Sequence, residues 1–538
     1  MRDDAWDGRA AMAAGVAKTG FALAKLAHRS GTSLPGEWAM KVDPKIATKL
    51  LAGQNLVIVT GTNGKTTTVK ALSQLLDGRR PVLYNKTGAN LIYGLISLLL
   101  AHHKDLTQAD PSKRPWIVFE MDEAHFARYA KDLHPTLVLL TNLYEDQTDR
   151  YGSLRQLSQL ILGGLLEARP PFTVFCGDDP ASITIARSYE EGLGKDEGST
   201  GKATPPQIVY FAAKSQGIKS ETLDASHNLQ ANPTDLQDEA AALSATFDGI
   251  CPSCGAPLSY SEVTLADLGK YSCPACGLAN PPTSLSFTWE GSASLSMTFA
   301  YQGPGQEAQE LQGSQERQKA QGLQEGLRPQ ELAQTELSLP GKYNAYNLAG
   351  ALLAAKSLLP EEPLQTLATK LAEVTAPFGR LEHFSLKGRE FCMILAKNPA
   401  GLREALATAF ADPRFAGLLL VMNQAESDGR DASWLHQVDL GEFWHPEAIP
   451  SFPLVLGGEA LKDLEASIKA SQATQDQWTQ CPRSQSIPEA WDAFVKEIVE
   501  KTGSAQEGDL FYLIPNYTAM MQLRSHLGDL YGVKDFWE

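Results

Sequence analysis

Short apolar runs alternate with helical patterns along most of the chain. Runs of this kind lie at 57–60, 81–84, 116–121, 136–142 and 172–179. Apolar runs of this length, separated by helical patterns, are typical of parallel strands joined by helices. We therefore predict a doubly wound α/β domain with a mainly parallel sheet. Active sites in such sheets lie at the carboxyl ends of the strands.

The alternation returns near the C-terminus, where buried strands are predicted at 418–422, 454–456 and 510–514. This pattern indicates a second, Rossmann-like α/β domain, which we place at 341–538. The central domain is then 41–340, and residues 1–40 form an N-terminal helical arm. Apolar residues recur at helical spacing in the arm, and we interpret its helix as packed on the next domain rather than lying on a membrane surface.

Two segments interrupt the central domain. Residues 303–335 are dominated by Gln, Glu and Gly, which predicts a disordered insertion. Residues 248–283 contain two CPxCG motifs, whose cysteines are Cys251, Cys254, Cys273 and Cys276. This spacing predicts a zinc ribbon. Four thiolates leave no open coordination position, so the Zn²⁺ would be structural.

Composition narrows the class of protein. The chain has 538 residues, enough for two or three domains, and 43% of them are apolar and 20% charged, as in ordinary globular proteins. The net charge of -16 argues against a broad nucleic-acid-binding surface. No apolar stretch is long enough to span a bilayer, and the N-terminus lacks the pattern of a signal peptide. Seven cysteines, four of them in the ribbon pattern, predict a reducing compartment, so we expect a cytoplasmic protein.

The strongest chemical motif is the segment 57–68, which reads VIVTGTNGKTTT. A strand, a Gly-rich turn and a helix in this order cradle phosphate with backbone N–H groups and a helix N-terminus. The strict pattern has Gly where Val59 stands here. Lys65 would contact the β- and γ-phosphates, and the Thr66 hydroxyl would bind Mg²⁺. The predicted nucleotide-binding residues of this loop are Gly61, Thr62, Asn63, Gly64, Lys65, Thr66 and Thr67.

Polar side chains follow the other predicted strands. Glu120 is expected to be a Mg²⁺ ligand, because a carboxylate at the carboxyl end of a parallel strand, near a phosphate loop, suits that ion. Asn142 and Asp178 fall at the same edge of the predicted sheet. The neighbouring acids Asp122 and Glu123 are interpreted as solvated residues at a strand end.

Four motifs occur in the order GTNGKTT, TNLYEDQTDRYG, GKYNAYNLAGALLAA and FGRLEH, with the strand ending at Glu120 after the first. Together they resemble the central and C-terminal domains of the Mur ligases, whose design the folylpolyglutamate synthases share. The segment before the phosphate loop is too short for the N-terminal UDP-binding domain of Mur ligases. With the ribbon and the sequence DGRDASW at 428–434, this difference resembles the MurT-type ligases, which are subunits of lipid II isoglutaminyl synthase.

The resemblance implies an ATP-dependent carbon–nitrogen ligase that uses ATP and Mg²⁺. ATP would phosphorylate the α-carboxyl of D-glutamate in the peptidoglycan stem peptide of lipid II, and ammonia would convert the acyl phosphate to D-isoglutamine. Lys65 and Glu120 would take the catalytic roles of the family. Asn347 resembles the family's Asn on the adenine side, and Arg380 resembles the Arg near the nucleotide at the domain hinge.

The chain departs from the family in one visible place. Many Mur ligases have Asp-His in the segment after the TN strand, where this chain has Asp146 and Gln147. We also find no counterpart of the carbamylated Lys of several Mur ligases. The resemblance therefore does not carry over a second metal site.

The source of ammonia is a separate question. A glutaminase needs an activated Cys with a His partner, and Cys176, Cys392 and Cys481 do not lie in a Gly-flanked strand-to-helix turn. We therefore predict a partner glutaminase, and the resemblance implies one of the GatD type. In that family an Asp of the ligase subunit completes the partner's Cys–His pair. Asp428 and Asp431 are the candidates, although either could be a turn or helix-cap residue.

Other functions stay open at this point. A Mur- or folylpolyglutamate-type ligase that adds an amino acid to a carboxylate would need a free amino acid and no partner. A zinc-ribbon NTPase that binds nucleic acid would show nucleic-acid-stimulated ATPase activity, which the acidic charge disfavours. An inactive scaffold disagrees with the intact GKTTT sequence. The N-terminal helix is compatible with a peripheral location at the inner membrane face, close to a lipid-linked substrate.

Overall fold

A computed structural model of the chain shows two compact units. The first comprises Met1–Glu145, Tyr151–Ser338 and Lys342–Val374, and the second comprises Asp146–Arg150, Leu339–Gly341 and Thr375–Glu538. The residues that the structure describes are 6–26, 33–78, 80–85, 90–144, 153–196, 205–214, 249–265, 268–291, 295–303, 330–337, 339, 341–375, 380–425, 428, 431–440, 452–470, 481–502 and 508–532. Within these ranges, no helix is long and apolar enough to cross a membrane.

The first unit is built on a large, mostly parallel sheet. Its strands and those of a small second sheet are, in chain order, β1 (Asn55–Thr60), β2 (Val82–Tyr84), β3 (Trp116–Glu120), β4 (Leu137–Leu140), β5 (Phe172–Cys176), β6 (Gln207–Ala213), β7 (Ser259–Leu265), β8 (Leu268–Ser272), β9 (Leu285–Glu290), β10 (Leu295–Tyr301) and β11 (Glu331–Leu337). The large sheet has the order β11-β10-β9-β6-β5-β4-β1-β3-β2, and β7 pairs with β8 alone. Within the large sheet, the neighbouring strands β9, β6, β5, β4, β1, β3 and β2 pair in parallel. Strands β10 and β11 are added antiparallel beside β9.

The central strands of this sheet are buried along their length. Every residue of β3 and β4 is buried, and so are the residues of β1 after Asn55. A strand that is covered on both faces reads as a continuous apolar run rather than as alternating apolar and polar residues. This burial explains why the apolar runs in the sequence were reliable signals of strands.

Helices complete the first unit, and side chains cap the N-termini of some of them. Asp122 accepts hydrogen bonds from the N–H groups of Ala124 and His125, and Ser153 forms a capping box with Gln156. The helices are α1 (Gly8–Leu26), α2 (Leu34–Val42), α3 (Ile46–Leu51), α4 (Lys65–Leu76), α5 (Ile92–Ala101), α6 (His103–Leu106), α7 (Glu123–Leu133), α8 (Leu154–Ala168), α9 (Pro180–Asp196), α10 (Lys342–Leu358) and α11 (Leu364–Leu371), with a 3-10 turn at Pro111–Lys113.

The N-terminal arm packs on the rest of the unit. Ala10, Ala13 and Ala17 of α1 are fully buried in the same apolar cluster as the helices that follow. Their spacing of three and four residues puts them on one face of the helix. This packing agrees with the interpretation of a helix docked on the next domain.

The extent of the first unit differs from two predicted boundaries. Glu331–Leu337 forms strand β11, which pairs with β10 and buries Ala333 and Leu337, so the prediction that the insertion extends to residue 335 is wrong; 304–329 lie outside the described residues. The predicted domain boundary at 341 also differs from the observed division, because α10 packs against α4 and α11 packs against β11.

The second unit is a six-stranded α/β sheet with the order β12-β13-β17-β14-β15-β16. All strand pairs are parallel except β12 with β13. The strands are β12 (Arg380–Leu386), β13 (Arg389–Ile394), β14 (Phe415–Val421), β15 (Leu454–Gly457), β16 (Arg483–Ser484) and β17 (Leu510–Pro515). The helices are α12 (Pro399–Ala411), α13 (Leu461–Ala470), α14 (Ile487–Thr502) and α15 (Tyr517–Tyr531), with a 3-10 turn at Ser433–Gln437. The predicted α/β fold class is confirmed in both units.

Candidate active site and metal centre

The predicted phosphate loop joins β1 to α4 and contains two glycines with positive φ. Gly61 has φ +119° and Gly64 has φ +85°, a backbone region that L side chains rarely adopt. Space is equally restrictive. A Cβ at Gly61 would overlap the hydroxyl of Thr141, and one at Gly64 would overlap the side-chain oxygen of Asn347. Only glycine fits at either position.

The end of β4 holds the loop in place. The Asn142 side chain accepts a hydrogen bond from the N–H of Asn63 at 3.0 Å and donates to the carbonyl of Asn63 at 3.2 Å. The backbone N–H of Thr62 donates to the carbonyl of Asn142 at 2.8 Å, and the hydroxyl of Thr141 donates to the carbonyl of Asn63 at 2.7 Å. Asn142 therefore fixes the shape of the loop through its own side-chain and backbone atoms.

Lys65 lies at the start of α4 and is buried beside an acidic side chain. Its ammonium donates to the carbonyls of Gly61 and Thr62 and to Oε1 of Glu123 at 3.1 Å. Burial by itself would lower the pKa of Lys65, but the carboxylates of Glu123 and Glu120 outweigh it and the pKa is raised. Lys65 is therefore held in its charged form.

Glu123 is the functional residue that the sequence interpretation missed. Its exposed fraction is 5%, so the prediction of a solvated residue at a strand end is wrong. Asp122 caps the helix that begins at Glu123, and this turn directs the Glu123 side chain toward Lys65. An N-cap Asp followed by an acid after an apolar strand was the available signal, but nothing local identified Lys65 as its partner.

Glu120 ends β3 next to β1, where it is paired in register with Val59. It is buried, and its Oε2 has no hydrogen-bond partner among the described residues. A buried carboxylate oxygen without a partner is unfavourable unless a cation or donor satisfies it. Glu120 and the partly exposed hydroxyl-bearing Thr66 are oxygen ligands of the kind that Mg²⁺ prefers. The residues present therefore fit Mg²⁺.

Asn347 lies on α10 and faces the phosphate loop. It is buried, and its side-chain oxygen occupies the space where a Cβ of Gly64 would be. Thr67 is buried in the first turn of α4. The structure thus brings the predicted residues Lys65, Glu120, Asn142 and Asn347 together around the loop.

The four predicted zinc ligands form one cluster. Their sulfur atoms all lie within 4.8 Å of one another, with Cys251 and Cys276 3.6 Å apart and Cys254 and Cys273 3.5 Å apart. Zn–S bonds of about 2.3 Å in a tetrahedral site put sulfurs roughly 3.8 Å apart. The cluster therefore fits a four-coordinate Zn²⁺ with no open position.

The two cysteine pairs sit on matching turns. In the first, the N–H of Gly255 donates to the carbonyl of Cys251 at 2.8 Å; in the second, the N–H of Gly277 donates to the carbonyl of Cys273 at 2.9 Å. Both glycines have positive φ. The backbone amide of Cys276 lowers the pKa of Cys273 to about 6, whereas burial raises the pKa of Cys251 to about 12.

The remaining cysteines are poor nucleophiles. Burial, with the carboxylates of Asp178 and Asp179, raises the pKa of Cys176 well above its usual value. Burial also raises the pKa of Cys392 to about 12 and raises that of Cys481. A catalytic thiol needs a lowered pKa, whereas the pKa of each of these three cysteines is raised.

The second unit places its two candidate acids differently. Asp428 is 7% exposed and accepts hydrogen bonds from the N–H and hydroxyl of Thr518 at the start of α15. Asp431 is exposed and accepts the N–H of Ser433 at 2.8 Å, as a residue before a 3-10 turn does. Burial raises the pKa of Asp428. Arg380 begins β12, and its side chain lies outside the described residues.

Comparison with known proteins found two family models that match separate parts of the chain. The Mur ligase middle domain family matches residues 59–192, and the MurT ligase C-terminal family matches residues 395–520. The chain therefore contains one segment similar to a Mur ligase middle domain and another similar to a MurT C-terminal domain. This combination confirms the resemblance that the motifs predicted.

Two similar relatives have the same name. The chain is 26% identical over 511 residues to the MurT subunit of lipid II isoglutaminyl synthase (glutamine-hydrolyzing) of Streptococcus pneumoniae, with 94% of each chain covered. It is 25% identical over 468 residues to the MurT subunit of Staphylococcus aureus, with 84% of this chain and 88% of that one covered. A solved structure of MurF ligase from Thermotoga maritima in complex with ADP has the same fold, with a TM-score of 0.54, 13% identity, and 91% and 84% of the two chains covered. The predicted class of enzyme, a ligase, is confirmed at this level.

Proposed function

We propose that this chain is the ligase subunit of a glutamine-dependent complex that amidates the α-carboxyl of D-glutamate in the stem peptide of lipid II. The proposal rests on the cluster of Lys65, Glu123 and Glu120 beside the phosphate loop. The chain that contains this cluster also matches a MurT-type C-terminal domain. The names of the relatives supply the substrate.

ATP is the proposed nucleotide. The loop offers the N–H groups at the start of α4 and the charged Lys65 to the phosphates. Asn347, which faces the loop, is proposed to lie on the adenine side, and Arg380 is proposed to contact the nucleotide. Mg²⁺, when bound, would offset phosphate charge, and Glu120 and Thr66 are the residues that would hold it.

The proposed reaction has two steps. An oxygen of the substrate carboxylate attacks the γ-phosphorus of ATP, and the bond from this phosphorus to the β–γ bridging oxygen breaks, which gives an acyl phosphate and ADP. Ammonia then attacks the carbonyl carbon, the carbon–oxygen bond to phosphate breaks, and the nitrogen loses a proton as the carboxamide forms. Lys65 stabilises the negative charge on the transferred phosphoryl group.

Ammonia is proposed to come from a partner glutaminase. The raised pKa values of Cys176, Cys392 and Cys481 support a nitrogen source outside this chain. An acid of the second unit, Asp428 or Asp431, is proposed to complete the partner's Cys–His pair. A carboxylate that serves a second protein must be accessible, which Asp431 is and Asp428 becomes only if the Thr518 contacts open.

The deciding experiment is an amidation assay on lipid II with mass-spectrometric detection. The reaction contains ATP and Mg²⁺ with ammonium chloride, or with glutamine and a GatD-type glutaminase. We expect the carboxylate to become a carboxamide in both reactions, and glutamine without the glutaminase to give none. A soluble UDP-linked precursor, tested in parallel, reports whether the lipid is needed.

Two results would overturn the proposal. One is no carboxamide with either nitrogen source, although the protein hydrolyses or binds ATP. The other is incorporation of a free amino acid in place of ammonia, which would assign the chain to the amino-acid-adding ligases.

A further inference from the structure

Asp178 follows β5 and is fully buried, with each oxygen of its carboxylate bound to a different part of the first unit. Oδ1 accepts from Nζ of Lys270 at 2.7 Å and from the amide of Asn280 at 3.2 Å. Oδ2 accepts from the N–H of Ala213 at 2.7 Å and from the hydroxyl of Tyr346 at 2.9 Å. A buried carboxylate with four donors holds the parts of the fold that carry these donors together. Loss of any donor is unfavourable, because it leaves part of the carboxylate's negative charge uncompensated.

The first oxygen faces the four-cysteine ribbon. Lys270 lies on β8, three residues before the zinc ligand Cys273. The backbone carbonyl of Asp178 also accepts the N–H of Gly269 at 3.0 Å. Asn280, just after the second cysteine pair, donates to the carbonyls of Gly177 and Gly269 at 3.0 and 2.8 Å. The ribbon therefore contacts Asp178 and Gly177 through residues on both sides of its second cysteine turn.

The second oxygen faces α10. Tyr346 is buried, and its ring packs edge-on against Phe287 with centroids 5.0 Å apart. The next residue on the helix is Asn347, whose side chain faces Gly64 of the phosphate loop. A shift of Tyr346 therefore moves the residue that borders the nucleotide site.

We propose that Asp178 is a positioning residue that couples the folded state of the ribbon to the phosphate loop through Lys270, Tyr346 and Asn347. When the ribbon loses its metal, the β7–β8 hairpin no longer holds Lys270 in place. The buried Asp178 carboxylate then loses the donors that lie beside the cysteine turns, Lys270 and Asn280, and its contact with the Tyr346 hydroxyl is disturbed. The helix carrying Asn347 shifts, and nucleotide binding weakens.

This inference rests on the proposed function, because it takes the loop as the ATP site and the cysteine cluster as the zinc site. It adds a role for the ribbon. The ribbon supports nucleotide binding although its four cysteines do not themselves contact the phosphate loop in the described residues.

The test measures nucleotide affinity in metal-loaded protein, so that unfolding of the ribbon does not decide the result. Lys270→Met removes the cation from Asp178 and leaves the four cysteines intact. Tyr346→Phe removes only the hydroxyl and keeps the ring in place. We expect each to raise the Kd for a non-hydrolysable ATP analogue, measured by calorimetry, by about tenfold. Zinc content, measured by elemental analysis, stays as in the unaltered chain.

Lys131→Met is the matched control. It removes a lysine from a surface ion pair with Glu167, in which both side chains are 54% exposed, and the Kd should not change. Unaltered protein stripped of metal by a chelator should show the same weakening as Lys270→Met.

Unchanged Kd values in both Lys270→Met and Tyr346→Phe would overturn the coupling. This outcome differs from failure of the proposed function, in which the unaltered, zinc-loaded chain would not bind the ATP analogue or would not amidate lipid II. Weakened binding by Lys131→Met to the same degree would also overturn the coupling, because the effect would then be general.

Discussion

Lys65 and Glu123 form a buried ion pair in which each side chain compensates the charge of the other. Both side chains are largely buried, and their charged atoms are 3.1 Å apart. Removing one partner of a buried ion pair leaves the other charge without compensation, whereas removing both charges with side chains of similar size can be nearly neutral. The pair therefore separates the contribution of Lys65 to stability from its contribution to catalysis.

Lys65→Met should lower the free energy of unfolding of the first unit by about 3 kcal/mol, because Glu123 is left buried and unpaired. The double variant Lys65→Met with Glu123→Gln should recover most of that loss, since neither charge remains. Urea titration measures the stability, and amidation of lipid II measures the activity. Activity should stay at least about a hundredfold below that of the unaltered chain in both variants. Recovery of activity in the double variant would contradict the role of Lys65.

Gly64 is required for conformation and for space. Gly64→Ala should weaken nucleotide binding at least about tenfold, because the added Cβ displaces Asn347 as well as straining a positive φ. Gly388→Ala is the control, since Gly388 also has positive φ but open space around its Cβ position. It should lose about 1 kcal/mol of stability and keep its nucleotide affinity. Equal nucleotide affinities in the two variants would show that the Asn347 contact is unimportant.

At the scale of elements, the ribbon is a small unit with little core of its own. Its hairpin β7–β8 alternates exposed and partly buried residues in β7, and the cysteine turns bury Cys251 and Cys273. Small elements of this kind usually need a metal to stay folded. The ribbon should therefore be the part of the first unit that depends most on Zn²⁺.

Purified protein should contain one Zn²⁺ per chain, and Cys273→Ser should lose it. Limited proteolysis should then cleave the ribbon of this variant sooner than that of the unaltered chain, while the large sheet stays resistant. Cys481→Ser, a change outside the cluster, serves as the control and should keep the metal. Full zinc content in Cys273→Ser would exclude the four-cysteine site.

The whole molecule is proposed to work with a glutaminase, and the two candidate acids can be separated by nitrogen source. With the partner present, Asn in place of the completing Asp should reduce glutamine-dependent amidation by at least about a hundredfold and leave ammonium-dependent amidation unchanged. Asp431→Asn should not affect stability, because the residue is exposed. Asp428→Asn should lower stability by about 1 to 2 kcal/mol, because it disturbs the hydrogen bonds to Thr518. Undiminished glutamine use in both variants would exclude this role for either residue.

Much of the fold is predictable from local patterns. The buried strands β1, β3 and β4 read as continuous apolar runs, because helices and neighbouring strands cover them on all sides. The phosphate loop and the cysteine turns are equally local, since their glycines and spacing are dictated by the backbone shape of a few residues. These features require no knowledge of distant contacts.

Strand β11 is an element that the local sequence pattern does not predict. Its sequence, ELAQTEL, is mostly polar, and only Ala333 and Leu337 are well buried. It becomes a strand because β10 offers a complete edge to pair with. The same holds for α10, which belongs with the first unit because its buried side chains pack against α4 rather than because of anything in its own sequence.

The sequence by itself determined the buried strands β1, β3 and β4, the phosphate loop, the positions of Lys65 and Glu120, and the grouping of the four cysteines into one cluster. Only the tertiary structure decided that Glu123 neutralises Lys65 and that Asp178 joins the ribbon to Tyr346. The physical reason is separation along the chain. A buried charge needs a partner, and the local sequence does not say which residue this will be. Glu123 is 58 positions from Lys65 along the chain, and Tyr346 is 168 positions from Asp178, so only the fold brings each pair together.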